Sequence, residues 1–518
     1  MKNPYHDQLQ EDEVSIGRRG LLVASGIFAL ILVFPWLVTL VRDRGGVDPV
    51  VWSGSTIRNL KAMEKWVEGL PVFERARDVD QAVLTKIANV GNRKVVLGQD
   101  GWLFYRPDLD AVVGKGPFYN EPPSVSRERV VDQWRPPLPE ILDFAAHLKK
   151  RNIELVFVPV PTKPMVCNSA LGLEGEAIAN KDWDDLKSRL EEAGVRVVDL
   201  LPLLASMPEE ERFLKQDTHW TPAAMERAAA RVAEMMPSFS QIEVVGEVRE
   251  VKRGSKGDLA RMLVPDEMGL FEEETVSLRV VEGGPRINND ESTIVVLGDS
   301  FVNVYEDPEL GFAGNGERES LSAGFSSHLA RHLGVSIQTI AINGGGATEV
   351  RKNFARLGGN SITRRRVVVW VLSARDVLLP ELPARRAGIR WEPVEYPVIV
   401  RFEEAVPEEK KERAIRVTAT LKERTRLGDP KETPYDTAIY SAVFEAVEGD
   451  AIKEYYVFLW GFRKREMEPT AFFSPGQRYE LTLVPLQEYP EAMRATQLDD
   501  FSRFDLTPFF ATDASEMK

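Results

Sequence analysis

From about residue 138 to residue 371 the sequence alternates between amphipathic helical segments and short apolar strands, and this alternation limits the possible folds more than any other feature. The predicted helices are Leu138–Lys150, Trp183–Ala193, Thr221–Met236 and Ser322–Leu333, and the predicted strands are Ile153–Val158, Val195–Asp199, Thr293–Gly298, Ile337–Ile342 and Arg366–Val371. The last of these strands has no polar alternation, which is typical of a strand buried on both faces. The pattern predicts an α/β domain with a mostly parallel sheet covered by helices.

The segments on either side of this region have different patterns. Ser53–Asn92 is polar with one apolar helical stripe, and Val95–Tyr105 is predicted to be a hairpin, because two apolar runs flank a Gly-containing turn. Beyond Trp391, alternating runs predict a small antiparallel barrel or sandwich with strands at Pro397–Phe402, Ile415–Leu421, Ala438–Val447, Tyr455–Phe462 and Arg478–Leu486. Four aromatic residues in these strands could stack on sugar rings, but a core position is the commoner role: Tyr455, Tyr456, Trp460 and Phe462.

Near the amino terminus, Gly20–Val41 is an uncharged, mostly apolar run long enough to span a bilayer. Arg18 and Arg19 precede it and no small-residue cleavage site follows, which favours an uncleaved signal anchor with a cytoplasmic amino terminus and an exported body. The predicted division is a cytoplasmic tail at 1–19, a transmembrane anchor at 20–42, a helical stalk at 43–90, the α/β domain at 91–390 and the β-rich domain at 391–518.

Composition excludes several classes of function. The formal net charge of −14 argues against nucleic acid as the main partner, because binding nucleic acid requires basic surface. The single cysteine, Cys167, rules out an intramolecular disulfide and a thiolate metal cluster. His328 and His332 lie four residues apart in a predicted helix, but no third ligand is evident nearby, so neither a metal nor another cofactor is expected.

The strongest chemical signal is a serine at the end of a buried-type strand together with an upstream imidazole and carboxylate. Ser300 follows the apolar run that ends at Gly298, and ligands of open α/β sheets bind outside the carboxyl ends of the strands. Asp217 and His219 are two residues apart, so in an extended loop their side chains lie on the same side. These residues predict an acyl-transfer triad, with Ser300 as nucleophile, His219 as general base and Asp217 as its orienting partner.

Weaker candidates surround this triad. An oxyanion site needs preorganised donors, which the Ser300 amide and the turn at Asn343–Gly346 could provide, notably Asn343 and Gly345, although such a turn can also be only a turn. Arg375 could bind an anionic group, but a surface salt bridge is the more common role. Tyr305, five residues after the serine, is a candidate substrate contact.

Four motifs, in this order, resemble the alginate O-acetyltransferase family of AlgJ/AlgX type, whose members are SGNH-hydrolase-like proteins. The motifs are Gly98–Tyr105, Val158–Pro164, Asp217–Trp220 and Gly298–Ser300. The resemblance implies a flavodoxin-like, three-layer α/β fold in which the Asp-x-His motif precedes the serine. It assigns the nucleophile to Ser300, the base to His219 and the orienting carboxylate to Asp217.

The resemblance also implies an activity and a location. It implies a single-pass protein of the bacterial inner membrane with its body in the periplasm, transferring acetyl groups to an exopolysaccharide through an acetyl-serine. A membrane-bound O-acyltransferase partner would supply the acetyl group, and no cofactor would be needed. Two alternatives remain open at this point: a carbohydrate acetylesterase with the same triad, and a non-catalytic glycan-binding assembly protein.

Overall fold

The computed structural model describes residues 71–119, 135–173, 175–236, 244–312, 321–380, 387–396, 414–430, 433, 435–446, 452–501 and 503–517. The chain divides into two compact units, Met1–Ile87 and Ala88–Lys518. The first unit is described only from Pro71, where helix α1 (Pro71–Ala88) begins. The predicted anchor at 20–42 and the predicted strand Pro397–Phe402 lie outside the described residues. Among the helices that are described, none combines the length and the apolar character needed to cross a membrane.

The second unit begins with an α/β part in which helices and strands alternate. Its strands are β1 (Val95–Leu97), β2 (Leu103–Tyr105), β3 (Glu154–Val160), β4 (Arg196–Val197), β5 (Glu247–Ser255), β6 (Glu274–Glu282), β7 (Ile294–Gly298), β8 (Gln338–Ala341) and β9 (Val367–Ser373). Its helices are α2 (Arg106–Val113), α3 (Pro137–Lys149), α4 (Lys163–Val166), α5 (Trp183–Glu192), α6 (Leu201–Ala205), α7 (Pro222–Glu234), α8 (Asp258–Leu263), α9 (Ser300–Asn303), α10 (Phe325–Leu333), α11 (Glu349–Ala355), α12 (Gly359–Thr363) and α13 (Ala374–Leu378).

A five-stranded sheet of order β4-β3-β9-β7-β8 forms the centre of this part, and every pairing in it is parallel. All residues of β7 and β9 are buried, as their unbroken apolar sequences predict. The predicted mostly parallel sheet is therefore confirmed, with strand ends shifted by a few residues. The sequence did not predict the antiparallel pair of β5 and β6, which lies outside the sheet.

The carboxy-terminal part contains β10 (Ile415–Arg424), β11 (Ala438–Ala446), β12 (Glu454–Arg463), β13 (Glu466–Met467), β14 (Arg478–Pro485), helix α14 (Pro490–Arg494), β15 (Thr496–Leu498) and β16 (Pro508–Glu516). Pairing runs from β12 through β16, β14, β10 and β11 and returns to β12, which closes a barrel. Four of these five pairings are antiparallel, whereas β12 and β16 are parallel. The predicted small barrel is confirmed, but β13, β15 and β16 were not predicted.

The aromatic residues of the barrel strands are mainly core residues. Tyr455, Tyr456 and Phe462 are buried, and Trp460 packs edge-on against Phe510. Burial leaves the first three no free ring face for stacking on a sugar. The core interpretation of these aromatics, rather than the glycan interpretation, therefore agrees with the structure.

The barrel packs directly against the loop that follows β8 and against helix α11. The Thr496 hydroxyl donates to the Asn343 carbonyl at 2.8 Å, and the Asn353 amide donates to the Gln497 side chain at 2.9 Å. Both contacts are largely shielded from water, where a hydrogen bond to a buried group is expensive to lose. The barrel and the α/β part therefore share a polar interface near the carboxyl end of β8.

Candidate active site

The tripeptide Gly298-Asp299-Ser300 forms the junction between β7 and α9. A Cβ on Gly298 would lie 2.3 Å from Cγ2 of Val302, so a larger residue does not fit this turn. Asp299 caps the helix, accepting from the Phe301 amide at 2.9 Å, and its second carboxylate oxygen accepts from the Ser373 amide at 3.2 Å. These contacts fix Ser300, which is buried, at the carboxyl end of the parallel sheet.

Asp217 and His219 lie together in a tight loop, as the sequence predicts. The loop is closed by a backbone bridge between Phe213 and Trp220 and by a hydrogen bond from the Leu214 amide to the His219 carbonyl. Oδ1 of Asp217 lies 2.5 Å from Nδ1 of His219 and also accepts from the His219 amide at 3.0 Å. The carboxylate therefore fixes both the backbone and the ring of the histidine, which is the role of the acid in a catalytic triad.

A second carboxylate, that of Asp258, supports this pair and was not identified from the sequence. The backbone amide of Asp258 donates to Oδ2 of Asp217 at 2.9 Å. The carboxylate of Asp258 accepts from the amide and the hydroxyl of Thr218 at 2.8 and 2.6 Å. The start of helix α8 therefore holds the Asp217 loop from behind. In the sequence, Gly257-Asp258 indicates only an ordinary helix start, and it does not show that Asp258 contacts the Asp217 loop.

The Lys163 ammonium group also anchors this loop. It is buried and donates to the carbonyls of Leu103 and Lys215 at 2.7 and 3.2 Å. The Leu103 amide in turn donates to the Lys215 carbonyl at 2.9 Å. The hairpin motif and the motif at Val158–Pro164 therefore support the loop that carries His219.

Electrostatics favour a charged Asp217 and a readily protonated His219. Burial alone would raise the pKa of Asp217, but the imidazole and the hydrogen bonds from His219 and Asp258 hold it well below its usual range. Burial would lower the pKa of His219, but the Asp217 carboxylate raises it above its usual value, with smaller effects from Asp258 and Asp299. His219 is therefore set up as a base of increased proton affinity.

The imidazole lies beside the segment that carries Ser300. The rings of His219 and Phe301 have centroids 4.9 Å apart, and the Trp220 indole donates to the Phe301 carbonyl at 3.2 Å. Among the described residues, Nε2 of His219 has no hydrogen-bond partner although it is buried. Nε2 is consequently available to take a proton, and in the conformation described it is not hydrogen-bonded to the Ser300 hydroxyl.

Oγ of Ser300 instead lies 3.4 Å from the hydroxyl of Tyr435, in the loop between β10 and β11. Tyr435 was not predicted, because it belongs to the carboxy-terminal part of the chain. Both Asp299 and Tyr435 line a cavity of about 1310 Å³ between the α/β part and the barrel. This volume can accommodate a ligand larger than a typical small molecule.

Arg375 lines the same cavity, where it forms a buried ion pair instead of the expected surface salt bridge. Its guanidinium lies 2.5 Å from Oδ1 of Asp108 and 5.1 Å from the ring centre of Tyr105. Burial raises the pKa of the neighbouring Asp376 to about 7, partly offset by the Arg375 charge. Arg375 is therefore a fixed cation beside the carboxyl groups of Asp108 and Asp376.

The remaining predicted site residues have other contacts. The Asn343 side chain donates to Asp307 at 3.0 Å, and the Gly345 amide donates to the Ile342 carbonyl at 2.9 Å. Tyr305 is buried and donates to the Trp220 carbonyl at 2.6 Å, which places it behind the His219 loop. All three residues support the site from positions outside the cavity lining that contains Asp299 and Tyr435.

Asp217, His219 and Asp258 are close enough together to be considered as metal ligands, since one ligand atom from each lies within 4.8 Å of the others. Their carboxylate oxygens and Nδ1 of His219, however, already form the hydrogen bonds described above with one another, with the Asp258 amide and with Thr218. The same atoms would have to give up those bonds to coordinate an ion. The donor set therefore fits a hydrogen-bonded acid–base array better than a metal centre.

Comparisons with known proteins identify the family. The family described as "SGNH hydrolase-like domain, acetyltransferase AlgX" matches residues 95–374. The probable alginate O-acetylase AlgJ of Pseudomonas aeruginosa is 25% identical over 300 residues, which are 55% of this chain and 71% of that protein. The protein of the same name from Pseudomonas syringae pv. tomato is 26% identical over 261 residues, 47% of this chain and 62% of that protein.

The solved O-acetyltransferase domain of Pseudomonas putida AlgJ is also similar, at 23% identity, covering 55% of this chain and 91% of that chain with a TM-score of 0.39. The family match includes the Asp217 loop and Ser300 and extends over more than half of the chain. The chain therefore belongs to the family of SGNH hydrolase-like domains of the AlgX acetyltransferase type.

Proposed function

We propose that this chain is a polysaccharide O-acetyltransferase that works through an acetyl-Ser300 intermediate. The observation that carries the proposal is the buried Asp217–His219 pair, whose free Nε2 lies on a ring packed against the residue that follows Ser300. An imidazole oriented by a carboxylate is the usual means of activating a serine hydroxyl at neutral pH. The family to which the chain belongs supports acetyl as the transferred group.

The residues support a two-step transfer. The Ser300 oxygen attacks the acetyl carbonyl carbon, its proton passes to Nε2 of His219, and the carbonyl electron pair moves onto the carbonyl oxygen. When the pair returns, the bond to the leaving group breaks and His219 protonates that group, which leaves acetyl-Ser300. A sugar hydroxyl, deprotonated by His219, then attacks the ester in the same manner and releases Ser300.

An exopolysaccharide is the acceptor that we propose, since the names of both relatives refer to alginate acetylation. The cavity beside Ser300 supports this choice, because it is large enough for several sugar residues of a chain. We further propose that Gly20–Val41 anchors the protein in the inner membrane with its body in the periplasm. A membrane-bound O-acyltransferase would then supply the acetyl group.

The test is transfer of acetyl from p-nitrophenyl acetate to oligosaccharides made from deacetylated alginate, using the full chain. Ser300→Ala is expected to abolish the acetylated sugar product and the acetyl-enzyme detected by mass spectrometry. Ser327→Ala, which changes another buried serine outside the site, is the matched control and should retain activity.

Two outcomes would contradict the proposal. Undiminished sugar acetylation by Ser300→Ala would exclude Ser300 as the nucleophile. Release of all the acetyl as free acetate, with abundant oligosaccharide present, would show that water is the acceptor and that the protein is an esterase. An uncharged oligosaccharide assayed in parallel reports whether the acceptor must carry carboxylates.

A further inference from the structure

Among the described residues of the carboxy-terminal part, Tyr435 is the one whose side chain lies within hydrogen-bond distance of Ser300. Its hydroxyl lies 3.4 Å from Oγ of Ser300, although the two residues are 135 positions apart in the sequence. The ring of Tyr435 lies on the backbone of Gly344, where a Cβ would come within 2.3 Å of the ring. Gly344 also has φ +72°, a conformation that glycine adopts most readily.

The residue next to Tyr435 is held by the barrel. The next residue, Asp436, accepts from the Arg465 side chain at 2.7 Å and from its amide at 2.9 Å. Arg465 and Lys464 both have positive φ, so they form a tight turn between β12 and β13. A hydroxyl carried by a fixed loop can act as a preorganised donor.

We propose that Tyr435 is a catalytic residue, whose hydroxyl donates a hydrogen bond to the acetyl carbonyl oxygen as Ser300 attacks. This inference rests on the proposed function. In the first step the new bond joins Oγ of Ser300 to the carbonyl carbon, and the negative charge develops on the oxygen two covalent bonds from Oγ. A donor 3.4 Å from Oγ is close enough to reach that oxygen, and it retains its own proton throughout.

Two of the other candidate donors already have partners. The Asn343 side chain donates to Asp307, and the Gly345 amide donates to the Ile342 carbonyl. The Ser300 amide remains, and oxyanion sites commonly use more than one donor. Burial and the nearby Asp299 carboxylate keep the pKa of Tyr435 well above its usual value, so the phenol stays protonated and can donate.

The β barrel is therefore part of the catalytic machinery and more than an accessory module. In the full chain, Tyr435→Phe keeps the ring on Gly344 and removes only the hydroxyl. We expect the first-order rate of Ser300 acetylation by p-nitrophenyl acetate, followed as the nitrophenolate burst, to fall about 100- to 1000-fold. The melting temperature should stay unchanged. Tyr440→Phe, which removes a hydroxyl that donates to the Thr470 carbonyl in the same barrel, should leave the burst rate unaltered.

A double-mutant cycle separates this role from a packing role. Gly344→Ala should displace the Tyr435 ring and slow acetylation, and adding Tyr435→Phe should then have little further effect. Gly269→Ala is the control, because Gly269 also has positive φ but no atom within 4 Å of its Cβ position.

The outcomes distinguish the inference from the function on which it rests. Suppose that Ser300→Ala abolishes the burst, whereas Tyr435→Phe shows a burst at an unchanged or increased rate. The role proposed for Tyr435 is then wrong, but Ser300 remains the nucleophile. If Ser300→Ala retains the burst, the proposed function itself fails. Loss of acetylation only in variants with a lowered melting temperature would also overturn the assignment to Tyr435.

Discussion

The proton affinity of His219 depends on three carboxylates around it. Asp217 has the largest effect and binds Nδ1 directly, and Asp258 and Asp299 add smaller effects that also favour the imidazolium. Burial acts in the opposite direction, because it disfavours a charged ring. The balance raises the pKa of His219 above 6.5, so a larger fraction of the base is protonated at mildly acidic pH than for an ordinary histidine.

This balance predicts the pH dependence of acetylation. Because only neutral His219 can accept the Ser300 proton, the rate should fall on the acid side with an apparent pKa above 6.5. In Asp217→Asn, the largest effect that opposes burial is removed and only the smaller effects of Asp258 and Asp299 remain, so the acid limb should move to lower pH and the rate at pH 8 should fall about 100-fold or more. The measurement is the nitrophenolate burst from pH 5 to 9.

The exposed Asp266 provides the control for this change, and Asp266→Asn should reproduce the profile of the unchanged protein. An acid limb below 6.5 in the unchanged protein would contradict the electrostatic description.

The raised pKa of His219 also makes the stability of the folded protein depend on pH. The stability that His219 gains from Asp217 is present below its unfolded pKa of about 6.5 and is lost as the pH rises through the higher folded value.

At the scale of elements, the Asp217–His219 pair depends on the contact between a loop and the start of a short helix. Gly257 precedes helix α8 with φ 76° and ψ 157°, a conformation available almost only to glycine. A Cβ at this position would lie 2.3 Å from the Gln216 carbonyl oxygen, just before Asp217. The absence of a side chain therefore lets α8 approach closely enough for the Asp258 amide to bind Asp217.

Gly257→Ala should consequently displace Asp217 and slow Ser300 acetylation about tenfold or more, in line with the effect of misplacing a catalytic group. Gly358→Ala is a well-matched control, because Gly358 precedes helix α12 with φ 79° and ψ 162° but has no atom within 4 Å of its Cβ position. Both variants carry similar backbone strain, and only the first should lose the burst. Equal losses would show that strain alone, and not the contact with Gln216, explains the effect.

At the scale of the whole second unit, buried charges fix the barrel on the α/β part. Asp499 lies 2.9 Å from the Arg356 guanidinium, and its backbone carbonyl accepts from the Lys352 ammonium at 3.0 Å. Burial would raise the pKa of Asp499, but Lys352 and Arg356 hold it well below its usual range. The interface therefore contributes stability above the unfolded pKa of Asp499, and this contribution is lost as the pH falls through the folded value.

Removing this carboxylate takes away the ion-pair partner of the buried Arg356 guanidinium, whereas Lys352 keeps its ion pairs with Glu349 and Glu392. Asp499→Ala should lower the free energy of unfolding by about 3–5 kcal/mol, measured by urea denaturation at pH 7. Asp505→Ala breaks an ion pair with Arg503 near the surface and should change the free energy of unfolding by less than about 1 kcal/mol. Equal effects of the two variants would contradict the interface role of Asp499.

The sequence alone determined the features that depend on local pattern. Unbroken apolar runs identified the buried strands, because a strand covered on both faces has no polar alternation. Ser300 was identified by its place directly after such a run, and Asp217 with His219 by a spacing that puts two side chains on one side of a loop. The close approach of Gly298 to Val302 and the capping of α9 by Asp299 are likewise contacts between neighbours in the chain.

Only the tertiary structure decided which distant groups complete the site. The contacts of Asp258 with Asp217, of Arg375 with Asp108 and of Tyr435 with Ser300 join residues 41, 267 and 135 positions apart. No spacing rule relates such residues, because their proximity depends on how the loops, the sheet and the barrel pack together. Sequence patterns record local periodicity and turn preference, whereas the donors and charges around Ser300 are set by long-range packing.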